Sequence, residues 1–64
     1  MFEESQTQLD HLAEFLRLAR KRRGWTQQSV ANRLQVSLDT VKRAERGEAG
    51  IKTGTLLMFL ALYQ

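Results

Sequence analysis

The side chains with the clearest chemical potential lie in one short segment in the second half of the chain. The planar guanidinium of Arg43 can donate two parallel hydrogen bonds, the pattern that matches O6 and N7 of guanine. Asp39 can accept a hydrogen bond from the N4 amino group of cytosine, or it can instead stabilise the positive end of a helix. Leu38 could contact a thymine methyl group, whereas Lys42 and Arg46 supply sequence-independent attraction to phosphate.

The charge distribution also favours a polyanionic partner. The net charge is +3, but from Arg17 to Lys52 ten basic residues face three acidic ones, a local surplus of seven positive charges. Such a segment attracts nucleic acid. The alternative is a solvated basic face without a partner. That alternative is the simpler interpretation of Lys21, Arg22, Arg23 and Arg33.

Length and composition exclude several classes of protein. The chain has 64 residues, which is enough for one small domain, and it contains no cysteine and one histidine. We therefore expect no disulfide, metal site or cofactor, and the sequence offers no nucleophile–base pair for an enzyme. No apolar run reaches the roughly 18–20 residues that span a bilayer, and the acidic N-terminus is unlike a signal peptide. A cytoplasmic binding module, without membrane contact, is the expectation.

A first helix is predicted by apolar residues that recur three and four positions apart. These residues are Leu9, Leu12, Ala13, Leu16 and Ala19. Ser5 or Thr7 is the expected N-cap, and Ser5 has capping-box spacing to Gln8. Gly24 can adopt the left-handed conformation that ends a helix, so we expect the helix to end near Arg23.

Three further helices are predicted by capping residues and apolar spacing. They are expected at residues 27–34, 38 to about 46, and 54 to about 63. Thr26, Ser37 and Thr53 are the predicted N-caps. Gly47 is expected to end the third of the four helices.

The two central helices have the spacing of a helix-turn-helix, and small Ala31 suits their close approach. Here the sequence resembles a family. The run Thr26-Gln27-x-x-Val30-Ala31-x-x-Leu34-x-Val36-Ser37-x-x-x-Val41-x-x-x-Glu45-x-Gly47, after Arg20-x-x-x-Gly24, resembles the Cro/repressor-type helix-turn-helix family, the xenobiotic-response-element class of phage and bacterial regulators. The resemblance covers about residues 9 to 62. It implies an all-α, lambda-repressor-like domain over residues 1–64, with four helices, or five if the chain is truncated. The helix-turn-helix core would span about 26–46, after an acidic segment at 1–8.

The resemblance also implies roles for individual residues. Gln27 would bind a DNA phosphate and brace the recognition helix. The residues implied to face base edges or the adjacent DNA backbone are Ser37, Leu38, Asp39, Thr40 and Arg43. Arg46 and Lys52 would contact phosphates. Lys42 would add sequence-independent attraction to DNA. Arg20 and Glu45 match a largely buried salt bridge. Trp25 is expected to join the core as a hydrophobic staple, the alternative being a platform on which a base stacks.

Gln35 departs from the family pattern, because a glycine usually ends the second helix. If its φ angle is positive, the left-handed conformation costs about 1 kcal/mol relative to glycine. The turn would then be slightly remodelled.

The final helix is apolar on nearly all sides. We expect Leu56, Phe59 and Leu60 to face the core. An exposed patch would then consist of Leu57, Met58, Leu62 and Tyr63. Such a patch predicts a homodimer, or a chain that lacks its C-terminal tail.

The resulting functional prediction is a sequence-specific regulator of transcription that binds double-stranded DNA, acting as a repressor. Two copies would place their recognition helices about 34 Å apart on a near-palindromic operator. A first alternative is the antitoxin of a toxin–antitoxin pair, which would bind a toxin protein and repress its own operon. A second is a protein-interaction module that no longer reads DNA.

Overall fold

The chain folds into four consecutive α-helices. A computed structural model describes the backbone of residues 2–64 and the side chains of residues 6–64. The helices are α1 (Phe2–Arg22), α2 (Gln27–Leu34), α3 (Leu38–Glu45) and α4 (Thr53–Leu62). Residues 2–64 contain no β-strand, so the predicted all-α, four-helix fold is confirmed. The acidic side chains of Glu3 and Glu4 lie outside the described residues.

Two predicted helix starts are wrong. Helix α1 already begins at Phe2, so Ser5 and Thr7 lie inside it and neither is its N-cap. The glutamates and glutamines of this segment are good helix formers, which lets the helix extend past those positions. Helix α4 begins at Thr53, and the cap position belongs to Lys52, which makes no side-chain capping hydrogen bond within the described chain.

The largest fully buried side chains of the core come one from each helix. These residues are Leu16, Val30, Val41 and Phe59. Each contributes about 1.5–3 kcal/mol relative to an exposed side chain. Ala31 is buried where α2 meets α3, and Ala44 is buried on the inner side of α3, so small residues allow the short helices to approach closely.

The orientation of α4 differs from the prediction. Phe59 and Tyr63 are buried, and Leu56 and Leu62 are half-buried beside them, as spacings of three and four residues require. Leu60, which was expected in the core, is 38% exposed. Tyr63, which was expected in the exposed patch, is 6% exposed. Because every side of this helix is apolar, periodicity alone could not determine which side is buried.

Aromatic contacts fix the end of α4. The Tyr63 ring meets Trp25 at 6.2 Å and Phe15 edge-on at 6.4 Å between ring centroids. Arg23 donates a hydrogen bond to the Tyr63 carbonyl at 3.1 Å, so it is more than a solvated charge. The guanidinium of Arg33 lies 3.9 Å over the Trp25 ring. Trp25 therefore packs at the edge of the core with its ring partly covered, instead of offering an open face to a base.

Candidate nucleic-acid interface

The turn between α2 and α3 fixes where α3 begins. Gln35 adopts φ 57° and ψ 44°, so the condition stated for this position is met and the residue is left-handed. The Val36 amide donates to the Ala31 carbonyl at 3.1 Å, which closes the end of α2. Ser37 caps α3 by accepting a hydrogen bond from the Thr40 amide at 3.0 Å, and the two hydroxyl groups lie 2.8 Å apart. The start of α3 is thus held by both main-chain and side-chain hydrogen bonds.

The C-terminal end of α3 is held from behind by Glu45, whose side chain is 3% exposed. Arg20 of α1 donates from Nε to Oε2 at 2.8 Å and from Nη2 to Oε1 at 3.1 Å, so the predicted ion pair is present. Gln27 of α2 donates to Oε1 at 3.1 Å. Arg17, which the sequence reasoning did not select, donates to the main-chain carbonyl of Glu45. One buried carboxylate thereby ties α3 to both helices behind it.

The outer side of α3 is polar. The buried residues of helix α3, on the opposite side, are Val41, Ala44 and Glu45. The residues that face solvent are Asp39 and Lys42, with Arg46 just beyond the helix, while Leu38, Thr40 and Arg43 are half-buried along the edges. This division leaves a cationic and hydrogen-bonding surface that nothing else in the described chain covers.

A groove of about 290 Å³ runs along one edge of this surface. Thr40 and Arg43 line it from α3, and Lys52 and Thr55 line it from the start of α4. Lys52 is twelve positions after Thr40 in the sequence, and the loop after α3 brings it back beside the helix. The structure therefore places two of the predicted cationic contacts on one continuous surface.

Glu48 lies between the two arginines at the end of α3. Its Oε1 accepts from Arg43 Nε at 3.2 Å, and its Oε2 is 2.7 Å from both Nε and Nη2 of Arg46. The hydrogen bond from Arg46, which outweighs the opposing desolvation, holds the pKa of Glu48 below its usual value, and Arg43 acts in the same direction. Sequence reasoning missed this residue. The sequence does show that Glu48 follows Arg46 by two positions and Arg43 by five. Whether its carboxylate reaches either arginine depends on the path of the loop after α3.

Gln27 has a different partner from the one the resemblance implied. Its amide nitrogen donates to Glu45, which fits the bracing role assigned to it. The amide keeps a second N–H for any further acceptor. Contact with a DNA phosphate remains a prediction.

The exposed apolar surface is also composed differently. Leu57 and Met58 are 60% and 42% exposed, but Leu62 is half-buried and Tyr63 is buried. Phe15 and Leu18 of α1 are exposed and were not predicted to be. Both residues lie outside the apolar stripe of α1. Their place in the sequence could therefore have predicted that they are exposed.

The described residues form neither a membrane-spanning helix nor a cluster of metal ligands. No helix there has the length and hydropathy to cross a membrane. No group of three or more histidine, aspartate or glutamate side chains in this part of the chain is arranged to hold a metal ion.

Comparison with known proteins gives one match. A family model described as a helix-turn-helix domain matches residues 11–64, which include all of α2, α3 and α4. The chain belongs to the helix-turn-helix family. No curated protein sequence and no solved structure matches it significantly. The helix-turn-helix domain supports a role as a DNA-binding regulator.

Proposed function

We propose that this helix-turn-helix protein is a transcriptional regulator of the Cro/repressor type, a single domain over residues 1–64 that binds double-stranded DNA sequence-specifically. The observation that carries the proposal is the division of α3. Glu45 holds the helix from behind, while Asp39, Lys42 and Arg46 face solvent. A major groove is about 12 Å wide and admits a helix presented in this way. The protein would act by binding alone, without catalysis.

Each outward residue has a distinct task in this proposal. Arg43 reads guanine, Asp39 accepts from cytosine N4, and Leu38 contacts a thymine methyl group. Lys42, Arg46 and Lys52 bind phosphates and set the orientation. The remaining contacts with the DNA backbone are proposed for Gln27, Ser37 and Thr40.

The first test is binding to random duplex DNA across salt concentrations. Phosphate contacts from Lys42, Arg46 and Lys52 predict a slope of about −2.7 for log K against log salt per protomer. Affinity should therefore fall about 40-fold between 50 and 200 mM salt. A flat response would contradict the proposal and favour a protein-interaction module.

The second test selects bound duplexes from a random library and then compares two variants. Arg43→Ala should lose its preference at one base pair, by a factor corresponding to about 1–3 kcal/mol. Lys42→Ala, a matched loss of one cation from the same helix, should weaken binding to all sequences alike. If Arg43→Ala also weakens all duplexes equally, Arg43 contacts only the backbone.

We further propose that two copies associate through α4 and repress transcription by occupying a near-palindromic operator. Leu57, Met58 and Leu60 expose apolar surface on this helix, and a second copy would remove it from water. Half-sites about 34 Å apart in the selected duplexes would support the two-fold arrangement. Promoter occupancy that lowers transcription in a reporter assay would support repression.

Sedimentation equilibrium tests the dimer directly. Leu57→Glu places a charge on the most exposed apolar side chain of α4 and should shift the protein to monomers. Gln8→Glu adds the same charge at an exposed polar position of α1 and should leave the mass unchanged. A monomeric wild-type protein at micromolar concentration would contradict this part of the proposal.

The same apolar surface would suit a second candidate function, an antitoxin that binds a toxin protein and represses its own operon. Leu57 and Met58 would then contact the toxin instead of a second copy. Co-purification of a single partner at fixed stoichiometry, lost in Leu57→Glu, would favour this candidate. Association of purified protein with itself would favour the homodimer.

A further inference from the structure

Glu48 holds the proposed base-reading arginine through two kinds of contact. Its carboxylate accepts a hydrogen bond from Arg43 Nε at 3.2 Å. Its backbone amide donates to the main-chain carbonyl of Arg43 at 3.2 Å. The second contact fixes the loop over the end of α3, so the position of the carboxylate beside Arg43 is set by the backbone as well as by charge.

The ion pair leaves the functional end of Arg43 available. Among the described residues, only Nε of this guanidinium has a hydrogen-bond partner, so Nη1 and Nη2 remain as two adjacent donors. Two adjacent donors are what O6 and N7 of guanine require. The side chain lines the groove beside Thr40, so the held conformation lies on the surface proposed to meet DNA.

We propose that Glu48 is a positioning residue that fixes the Arg43 guanidinium for guanine recognition, at the expense of general affinity for DNA. The proposal rests on the DNA-binding function proposed above. A long side chain that is ordered before binding loses less conformational freedom when it meets its base. The same carboxylate repels phosphates and engages Arg46, which reduces attraction to every sequence.

These two effects give Glu48→Gln opposite consequences for affinity and specificity. The variant keeps the size of the side chain and removes its charge. Affinity for random duplex should rise, because the side chain at position 48 no longer repels phosphates or competes with them for Arg46. Preference for the guanine that Arg43 reads should fall by a few fold (about 1 kcal/mol), because a neutral amide oxygen accepts from Arg43 Nε more weakly than the carboxylate and holds the side chain less firmly. If the ion pair had no positioning role, its removal would change the affinity for every DNA sequence by the same factor.

The experiment uses the full chain and two duplexes, the selected operator and the same operator with that guanine pair replaced. Wild type, Glu48→Gln, Arg43→Ala and the double variant are measured on both. We expect Glu48→Gln to reduce the ratio of the two affinities in the wild-type background and to leave it unchanged in the Arg43→Ala background. An equal change on both duplexes would overturn the inference while leaving the DNA-binding proposal intact. Absence of salt-dependent binding by the wild type would overturn both.

A measurement without DNA tests positioning independently. The Arg43 Nε–H should show slow solvent exchange and restricted motion by NMR in the wild type. In Glu48→Gln, exchange should be faster and motion larger, because the neutral amide oxygen is the weaker acceptor. Arg22, an exposed arginine of α1, supplies the reference for a mobile side chain. Equal mobility of Arg43 and Arg22 in the wild-type protein would also overturn the inference.

Discussion

Replacement of Glu45 by alanine is expected to destabilise the fold more than any other single charge removal. The carboxylate is 3% exposed and accepts two hydrogen bonds from Arg20 and one from Gln27. In Glu45→Ala the guanidinium of Arg20, only 13% exposed, would keep its hydrogen bond to the Trp25 carbonyl but lose its counterion. Breaking a buried pair by removing one partner costs about 3–5 kcal/mol.

That cost is large relative to the whole stability of so small a domain. At about 0.05–0.15 kcal/mol per residue, 64 residues give a free energy of unfolding of about 3–10 kcal/mol. We therefore expect Glu45→Ala to be substantially unfolded at 37 °C. Replacing both partners, as in Arg20→Met with Glu45→Met, removes the unpaired charge and should recover at least about 2 kcal/mol relative to Glu45→Ala.

Urea unfolding followed by far-ultraviolet circular dichroism measures these differences. The matched control is Glu48→Ala, which removes the same group from two arginines at a half-exposed position and should shift the midpoint far less than Glu45→Ala. The reasoning is refuted if Glu45→Ala unfolds at the same urea concentration as Glu48→Ala. It is also refuted if the double variant is no more stable than Glu45→Ala.

Four further predictions are all measured by urea unfolding. The Tyr63 hydroxyl is buried and has no hydrogen-bond partner among the described residues, so Tyr63→Phe should raise stability by about 1 kcal/mol. Burial raises the pKa of Tyr63, so wild-type stability should fall as the pH rises above about 10 and that of Tyr63→Phe should not; identical pH profiles would contradict this. Gln35 has φ 57°, so Gln35→Gly should stabilise by about 1 kcal/mol, and a loss would show that the turn needs the side chain. A Cβ at Gly47 would lie 2.9 Å from Oδ1 of Asp10, an exposed side chain that can rotate away, and 3.4 Å from the main-chain carbonyl oxygen of Leu9, whereas one at Gly50 would meet nothing within 4 Å. Since both glycines have positive φ, Gly47→Ala should cost slightly more than Gly50→Ala, and equal costs would show that the surroundings of Gly47 yield without strain.

The helix-turn-helix could be predicted because its signals are local. Thr26 and Ser37 cap their helices through hydrogen bonds to amides three residues later, and this geometry depends only on nearby sequence. The left-handed conformation of Gln35 was raised as a condition by the resemblance, because a glycine usually stands at this position in the family. The ion pair between Arg20 and Glu45 lies across 25 residues, but the resemblance to a known family supplied it.

The buried side of α4 and the partners of Glu48 could be read only from the tertiary structure, because the sequence allows more than one arrangement of each. Helix α4 is apolar on all sides, so only packing against Trp25 and Phe15 decided that Tyr63 is buried and Leu60 exposed. Glu48 reaches Arg43 because the loop folds back over the end of α3.

The sequence alone therefore determined which segments are helical, where the two central helices begin, and which side of α3 carries charge. Periodicity and capping fix these features over three or four residues. The tertiary structure alone decided which side of α4 meets the core and which acid holds the arginines of α3. These contacts depend on the path of whole helices and loops, and no pattern of neighbouring residues encodes that path.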